Sequence, residues 1–231
     1  RHPTVRLGYA HVDAKSRLTD TSVFVSGDEI PTQRRYTVRM NAPFPTPAQL
    51  ERHKFTIDDV LEMTAHGLID KRTELLDGEI YDMPSDGDRH IQFTMALAHY
   101  LIRTLDPAKY FVGVQTTLRL SKHNAPSPDI YILAGGAPKG DVPSDQILLV
   151  IEVADTSLKD DLTDSASRYA RHQIRDYWVV DATERVIHVH HDPKDGAYPD
   201  PKRVAAGEKV EAVRVAGLSI ALAKIPGLDP A

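Results

Sequence analysis

Residues 146–153 read Gln-Ile-Leu-Leu-Val-Ile-Glu-Val, an almost unbroken apolar run with one carboxylate, Glu152, near its end. A run of this length without polar alternation suits a strand covered on both faces, as at the centre of a sheet. Parity places Leu148, Val150 and Glu152 on one face, so Glu152 projects where a core residue is expected. A carboxylate in that position is costly unless a cation or strong hydrogen bonds compensate its charge. The fold must therefore supply layers on both sides of this strand, and the strand end must supply a partner for Glu152.

The flanking segments read as those layers. Thr56 is a helix N-cap with Asp59 as its capping-box partner, Ile57, Val60, Leu61 and Thr64 follow at helical spacing, and Gly67 ends the helix. Glu74, Leu75 and Leu76, then Asp77-Gly78, then Glu79, Ile80 and Tyr81 predict a β-hairpin with a type I′ turn. Residues 84–88 read as a loop. Ile91, Met95, Ala98, Leu101 and Ile102 predict a mostly buried helix over 90–105, and the Val- and Thr-rich alternation over 110–120 predicts a strand. Pro128-Asp129 opens a short strand over 130–133. A helix over 158–173 carries Leu162, Ala166, Tyr169 and Ala170 on one side, and strands follow over 177–180, 186–190 and 210–215. The expected class is α/β, with a mixed central sheet flanked by helices.

Before residue 54 the pattern is different. Residues 22–26 and 35–40 are short strand-like pieces, and Pro43, Pro45 and Pro47 read as a stiff linker. The expected organisation is an N-terminal arm or partly disordered leader over 1–53, a domain over 54–192, and a C-terminal strand and tail over 193–231 packed on it. The chain opens on Arg1 rather than Met, as expected of a trimmed sequence.

Composition narrows the chemistry. Without cysteine there are no disulfides, thiolate nucleophiles or sulfur-ligated zinc sites. No apolar run approaches the roughly 18 residues a membrane span requires, and no signal pattern opens the chain, so a cytoplasmic protein is expected. The net charge of −5 counts against tight non-specific nucleic-acid binding, which draws its affinity from Lys and Arg on phosphates. A nuclease of this composition needs a local basic groove or a bound metal.

Asp129 and Glu152 are separated by enough chain for a strand, a turn and a neighbouring strand. Two carboxylates on adjacent strands form a hard oxygen site suited to Mg²⁺ or Mn²⁺, able to position water against a phosphodiester. The alternative is that Glu152 caps a strand end and pairs with an Arg. His188, His190 and His191 lie in one strand, where 188 and 190 share a face; surface histidines are the commoner outcome of such a pattern. Tyr177 and Trp178 read as core. There is no nucleophile elbow, phosphate loop or dinucleotide fingerprint.

The order Glu74-Leu-Leu-Asp-Gly-Glu-Ile, His90 opening a helix, Pro128-Asp129, then Glu152-Val153 with Thr156-Ser157 resembles the Uma2 family of restriction-endonuclease-like proteins. So do Asp161, Tyr169-Ala170-Arg171 and the run Asp176-Tyr-Trp-Val-Val-Asp181. The resemblance implies a PD-(D/E)XK core, a metal-dependent endonuclease acting on DNA, and a homodimer. It implies that Asp129 and Glu152 hold Mg²⁺ or Mn²⁺, that Glu74 reaches the metal through water, and that His90 belongs to the catalytic set. One departure stands out. The family's usual Lys falls on Ser165, and the position two beyond Glu152 is Ala154, leaving Lys159 and Arg168 as the nearest basic substitutes. A lost cation removes electrostatic stabilisation from phosphodiester chemistry, so a catalytically lapsed binding or assembly module is the competing expectation.

Overall fold

A computed structural model describes residues 52–228 and, before them, the strands β1 (Thr21–Val23) and β2 (Tyr36–Val38). The chain divides into two compact units, residues 1–52 and 53–231. In the first, β1 pairs antiparallel with β2, Ser22 opposite Thr37. The proline linker and the expected leader lie outside the described residues.

The second unit opens with α1 (Ile57–Ala65), capped as its sequence dictates: the Thr56 hydroxyl accepts from the Asp59 N–H, and the Asp59 carboxylate accepts from the Thr56 N–H. Strands β3 (Thr73–Leu76) and β4 (Glu79–Asp82) form the hairpin, with Asp77 and Gly78 at φ +53° and +86°. Two successive positive φ values define the type I′ turn that Asp-Gly favours. Helix α2 (Asp88–Thr104) follows, then β5 (Tyr110–Val114), β6 (Ile130–Ala134) and β7 (Ile147–Ala154). A helical stretch of α3 (Leu158–Asp160), a π-turn (Asp161–Ser165) and α4 (Ala166–Arg171) leads to β8 (Asp176–Asp181) and β9 (Val186–His191). The C-terminal part adds β10 (Lys202–Ala205) and a small pair, β11 (Val210–Glu211) with β12 (Ser219–Ile220).

The main sheet has the order β10-β9-β8-β7-β6-β5, antiparallel throughout except for the parallel pair β7–β8 that the helical stretch connects. This is the expected mixed α/β sheet. One face packs Ile151, Val153, Trp178 and Val180 against Leu97 and Leu101 of α2, with Val215, Leu218 and Leu222 of the C-terminal segment in the same cluster. The other packs Val150, Tyr177 and Val179 against Ala166 and Tyr169 of α4. Gly113 lies opposite Tyr131, whose ring covers it; a Cβ there would sit 2.2 Å from the ring.

Four local expectations are corrected. The strand over 110–120 ends at Val114, because Gln115 takes φ +44° and Leu118 and Leu120 bond instead to Pro126 and Asn124. The helix over 158–173 widens into a π-turn at Asp161–Ser165. The strand over 210–215 stops at Glu211. Finally, the β6–β7 register shifts between Ile132 and Leu133, so Leu148 joins Leu149 in the α2-side cluster while Ile147 joins Val150 on the other face. Simple alternation does not survive a bulge.

Candidate active site

Asp129 immediately precedes β6, and the antiparallel register Ile130 to Ile151 places it opposite Glu152 at the end of β7. The Asp129 N–H donates to Glu152 Oε2 (3.0 Å), and the Val153 N–H donates to Asp129 Oδ2 (2.8 Å). Each acidic residue is thus fixed partly by the other's strand. Tyr169 on α4 donates its hydroxyl to Glu152 Oε1 at 2.7 Å. His90, in the first turn of α2, donates from Nε2 to Asp129 Oδ2 (2.9 Å), while its Nδ1 faces Asp86 Oδ1 at 3.5 Å. That bond to Asp129 holds the His90 imidazole above its ordinary pKa.

Glu74 enters from β3. Its Oε1 accepts the Ser127 N–H at 2.5 Å, and burial pushes its carboxyl upward. The hairpin is seated by a bridge between Leu75 and Ala125, by Asn124 bonding the Asp77 N–H, and by Arg171 on α4 pairing with Asp77 Oδ2 at 2.8 Å. The four residues singled out in the sequence, Glu74, His90, Asp129 and Glu152, line one cavity of about 1080 Å³.

Other groups share that cavity, among them Asp161, Ser165, Gln115, Lys71 and Arg72. The π-turn turns Asp161 inward, where Ser157 Oγ donates to Oδ2 (2.6 Å) and Ser165 Oγ lies 3.5 Å from Oδ1. Burial raises its carboxyl to about 6, with the Asp129 charge contributing. Glu152 is driven well above the usual carboxylate range, first by burial and then by Asp129 and Asp161. Burial also holds Tyr169 far above its ordinary value, so it remains a donor to Glu152. Asp161 was visible in the sequence as part of a motif, but no residue pattern announced its inward aim. Gln115 donates to Asp86 Oδ2 (3.2 Å) and lies 3.4 Å from Asp129 Oδ1; its positive φ is what brings it there.

A divalent cation fits this donor set. Buried carboxylates repel one another here, and oxygen-only ligands suit Mg²⁺ or Mn²⁺. Glu152 Oε1 and Oε2 each accept one bond and keep a lone pair; Asp129 keeps Oδ1 with a single long contact from Gln115, while Oδ2 is taken by Val153 and His90. Among the described residues no three His, Asp or Glu side chains converge closely enough to enclose an ion by themselves. A two-carboxylate site completed by water is the arrangement Mg²⁺ commonly takes.

The remaining candidates fall elsewhere. Lys159 is exposed and outside the cavity lining; Arg168 lies 3.8 Å from Asp77 and is occupied with the hairpin. His190 is buried, stacked on Tyr177 and tilted against Tyr198, with burial lowering its pKa to about 4. His191 Nδ1 sits 3.0 Å from the buried Asp176. These histidines belong to packing, and Tyr177 and Trp178 are fully enclosed. No helix among the described residues is long and apolar enough to cross a membrane.

The family model for Uma2, described as putative restriction endonuclease, matches residues 58–223. Among solved structures, a putative nuclease of the DUF820 group from Anabaena variabilis aligns with a TM-score of 0.56 at 13% identity, over 75% of this chain and 98% of the other. That likeness establishes the fold. A search of curated proteins found no match.

Proposed function

This chain belongs to the Uma2 family, and from that premise we propose that it is a metal-dependent endonuclease hydrolysing DNA phosphodiester bonds, with Asp129 and Glu152 holding Mg²⁺ or Mn²⁺. The observation that supports the reading most strongly is the pairing of Asp129 with Glu152 across β6 and β7 on the wall of a large cavity, with Glu152 charged only at a high cost in the absence of a cation. Such an ion, when bound, supplies water activation and neutralises phosphate charge. The chain's own residues do the positioning: His90 and the Val153 N–H orient Asp129, Tyr169 orients Glu152, and Glu74 stands ready to hold a water on the hairpin side.

A second reading, a nuclease-fold binding or assembly module, is favoured by one observation. Ser165 meets Asp161 with a neutral hydroxyl, and among the described lining residues the helical wall from Leu158 to Arg171 contributes no cation. Nicking of a supercoiled plasmid with Mn²⁺, comparing the wild type with Asp129→Ala, separates the two. The endonuclease reading expects metal-dependent nicking that Asp129→Ala abolishes; no such cleavage leaves the module. A homodimer is part of the proposal, and a light-scattering mass near 25.7 kDa would contradict it.

A further inference from the structure

The endonuclease reading leaves a charge problem. Six carboxylates line the cavity, Glu74, Asp86, Asp129, Glu152, Asp155 and Asp161, in a chain of net charge −5. A phosphodiester backbone is repelled by such a lining unless fixed cations meet it at the mouth. Among the described lining residues the permanently charged cations are Lys71 and Arg72, adjacent on the connection from α1 to β3.

Both are available. Lys71 is exposed and makes no ion pair or hydrogen bond among the described residues. Arg72, with 61% of its side chain exposed, donates to the Pro84 carbonyl at 3.2 Å and pairs with Asp86 at 4.0 Å, solvent-exposed contacts that a phosphate can replace. The other basic groups nearby are engaged: Arg89 with Asp155 (3.0 Å), Arg171 and Arg168 with Asp77. The backbone of the pair is also anchored. The Arg72 N–H donates to Asp70 Oδ1 (3.0 Å), and its carbonyl accepts from the Met83 N–H (2.9 Å), extending the hairpin ladder that carries Glu74.

We infer that Lys71 and Arg72, on the hairpin side of the cavity, grip the backbone phosphates of a nucleic-acid strand entering it. This rests on the nuclease reading. It predicts a binding constant whose salt dependence is dominated by two residues.

The test is fluorescence anisotropy of labelled single-stranded and duplex DNA with the full chain in EDTA, from about 50 to about 200 mM salt. The variants are Lys71→Ala/Arg72→Ala, the conservative Lys71→Arg/Arg72→Lys, and Lys139→Ala/Lys209→Ala at exposed positions outside the cavity lining. The alanine pair should bind about ten-fold more weakly, with the log–log salt slope reduced by about 1.4 on single strands or about 1.8 on duplex. The conservative pair should keep the wild-type slope, and the control pair should change neither quantity. Matched melting curves show that the exposed substitutions leave the fold intact. If the wild type binds and nicks DNA while the alanine pair binds with unchanged affinity and slope, the inference is wrong and the nuclease reading stands. A wild type that neither binds nor nicks overturns both.

Discussion

Asp161 offers the sharpest quantitative test of a site built from mutually repelling carboxylates. Its carboxyl is raised from 3.8 to about 6, chiefly by burial. A carboxyl raised by folding favours the folded state while protonated and opposes it once ionised, so its contribution is lost as pH rises from about 4 through about 6. At 1.36 kcal/mol per unit the shift corresponds to about 3 kcal/mol of destabilisation at neutral pH. Asp161→Asn removes that cost and keeps an acceptor for Ser157 Oγ, though a bond to a neutral oxygen is weaker by about 1 kcal/mol. The net expectation is a gain of about 1–2 kcal/mol above pH 7, or roughly 2–8 °C in melting temperature for a unit of this size. Urea and thermal unfolding of both proteins in EDTA, at half-unit steps between pH 4 and 8, would show the gap opening with rising pH and levelling above 7. Mn²⁺ should narrow it, because the ion relieves the same repulsion in the wild type. A gap independent of pH, or a less stable Asp161→Asn protein at pH 8, would refute the reasoning.

Two further outcomes follow from groups outside the cavity. Asp176 is fully buried, accepts from Trp178 Nε1 (2.6 Å) and the Val213 N–H (2.8 Å), and sits 3.0 Å from His191 Nδ1; Asp176→Ala strands these donors, the Trp178 indole N–H within the core, and should cost about 3–5 kcal/mol in urea unfolding. His190 is lowered to about 4 by burial, so its own contribution to folded stability is full above about 6.5 and is lost as pH drops towards 4. His190→Phe, which keeps the ring contacts with Tyr177 and Tyr198, should flatten that acid limb, and an unchanged limb would count against the assignment.

The strands and turns with strong local chemistry were legible in sequence. The capping box at Thr56 and Asp59 and the Asp-Gly turn each rest on side chains that act on their own neighbours, and the apolar run to Glu152 could be buried in one way. What escaped was set by distant parts of the chain. Residues 116–120 alternate like a strand but bond to 124–126, and the bulge beside Leu148 exists only in the context of β6. The π-turn is another such case: a charged residue at Asp161 in an amphipathic segment reads as solvated, and only the helix's placement over β7 and β8 turns it inward.

The site divides in the same way, and the division has a physical cause. Glu152 was conspicuous because an acidic side chain amid apolar ones violates the burial pattern, and violations of pattern concentrate where function is served; Asp129 followed from its place at the opening of a strand near enough in sequence to pair with it. Lys71 and Arg72 violate nothing: two charges on a connection are the ordinary surface of a soluble protein. Their significance comes from the hairpin, a two-stranded sheet separate from the main one, which carries them to the edge of a cavity whose charge is otherwise negative. An acidic floor concentrates a cation, a cation makes the floor tolerable to phosphate, and a basic edge lets the strand arrive. The floor can be read from a strand's burial pattern, whereas the edge becomes visible only when two separate pieces of the chain are seen to close on one space.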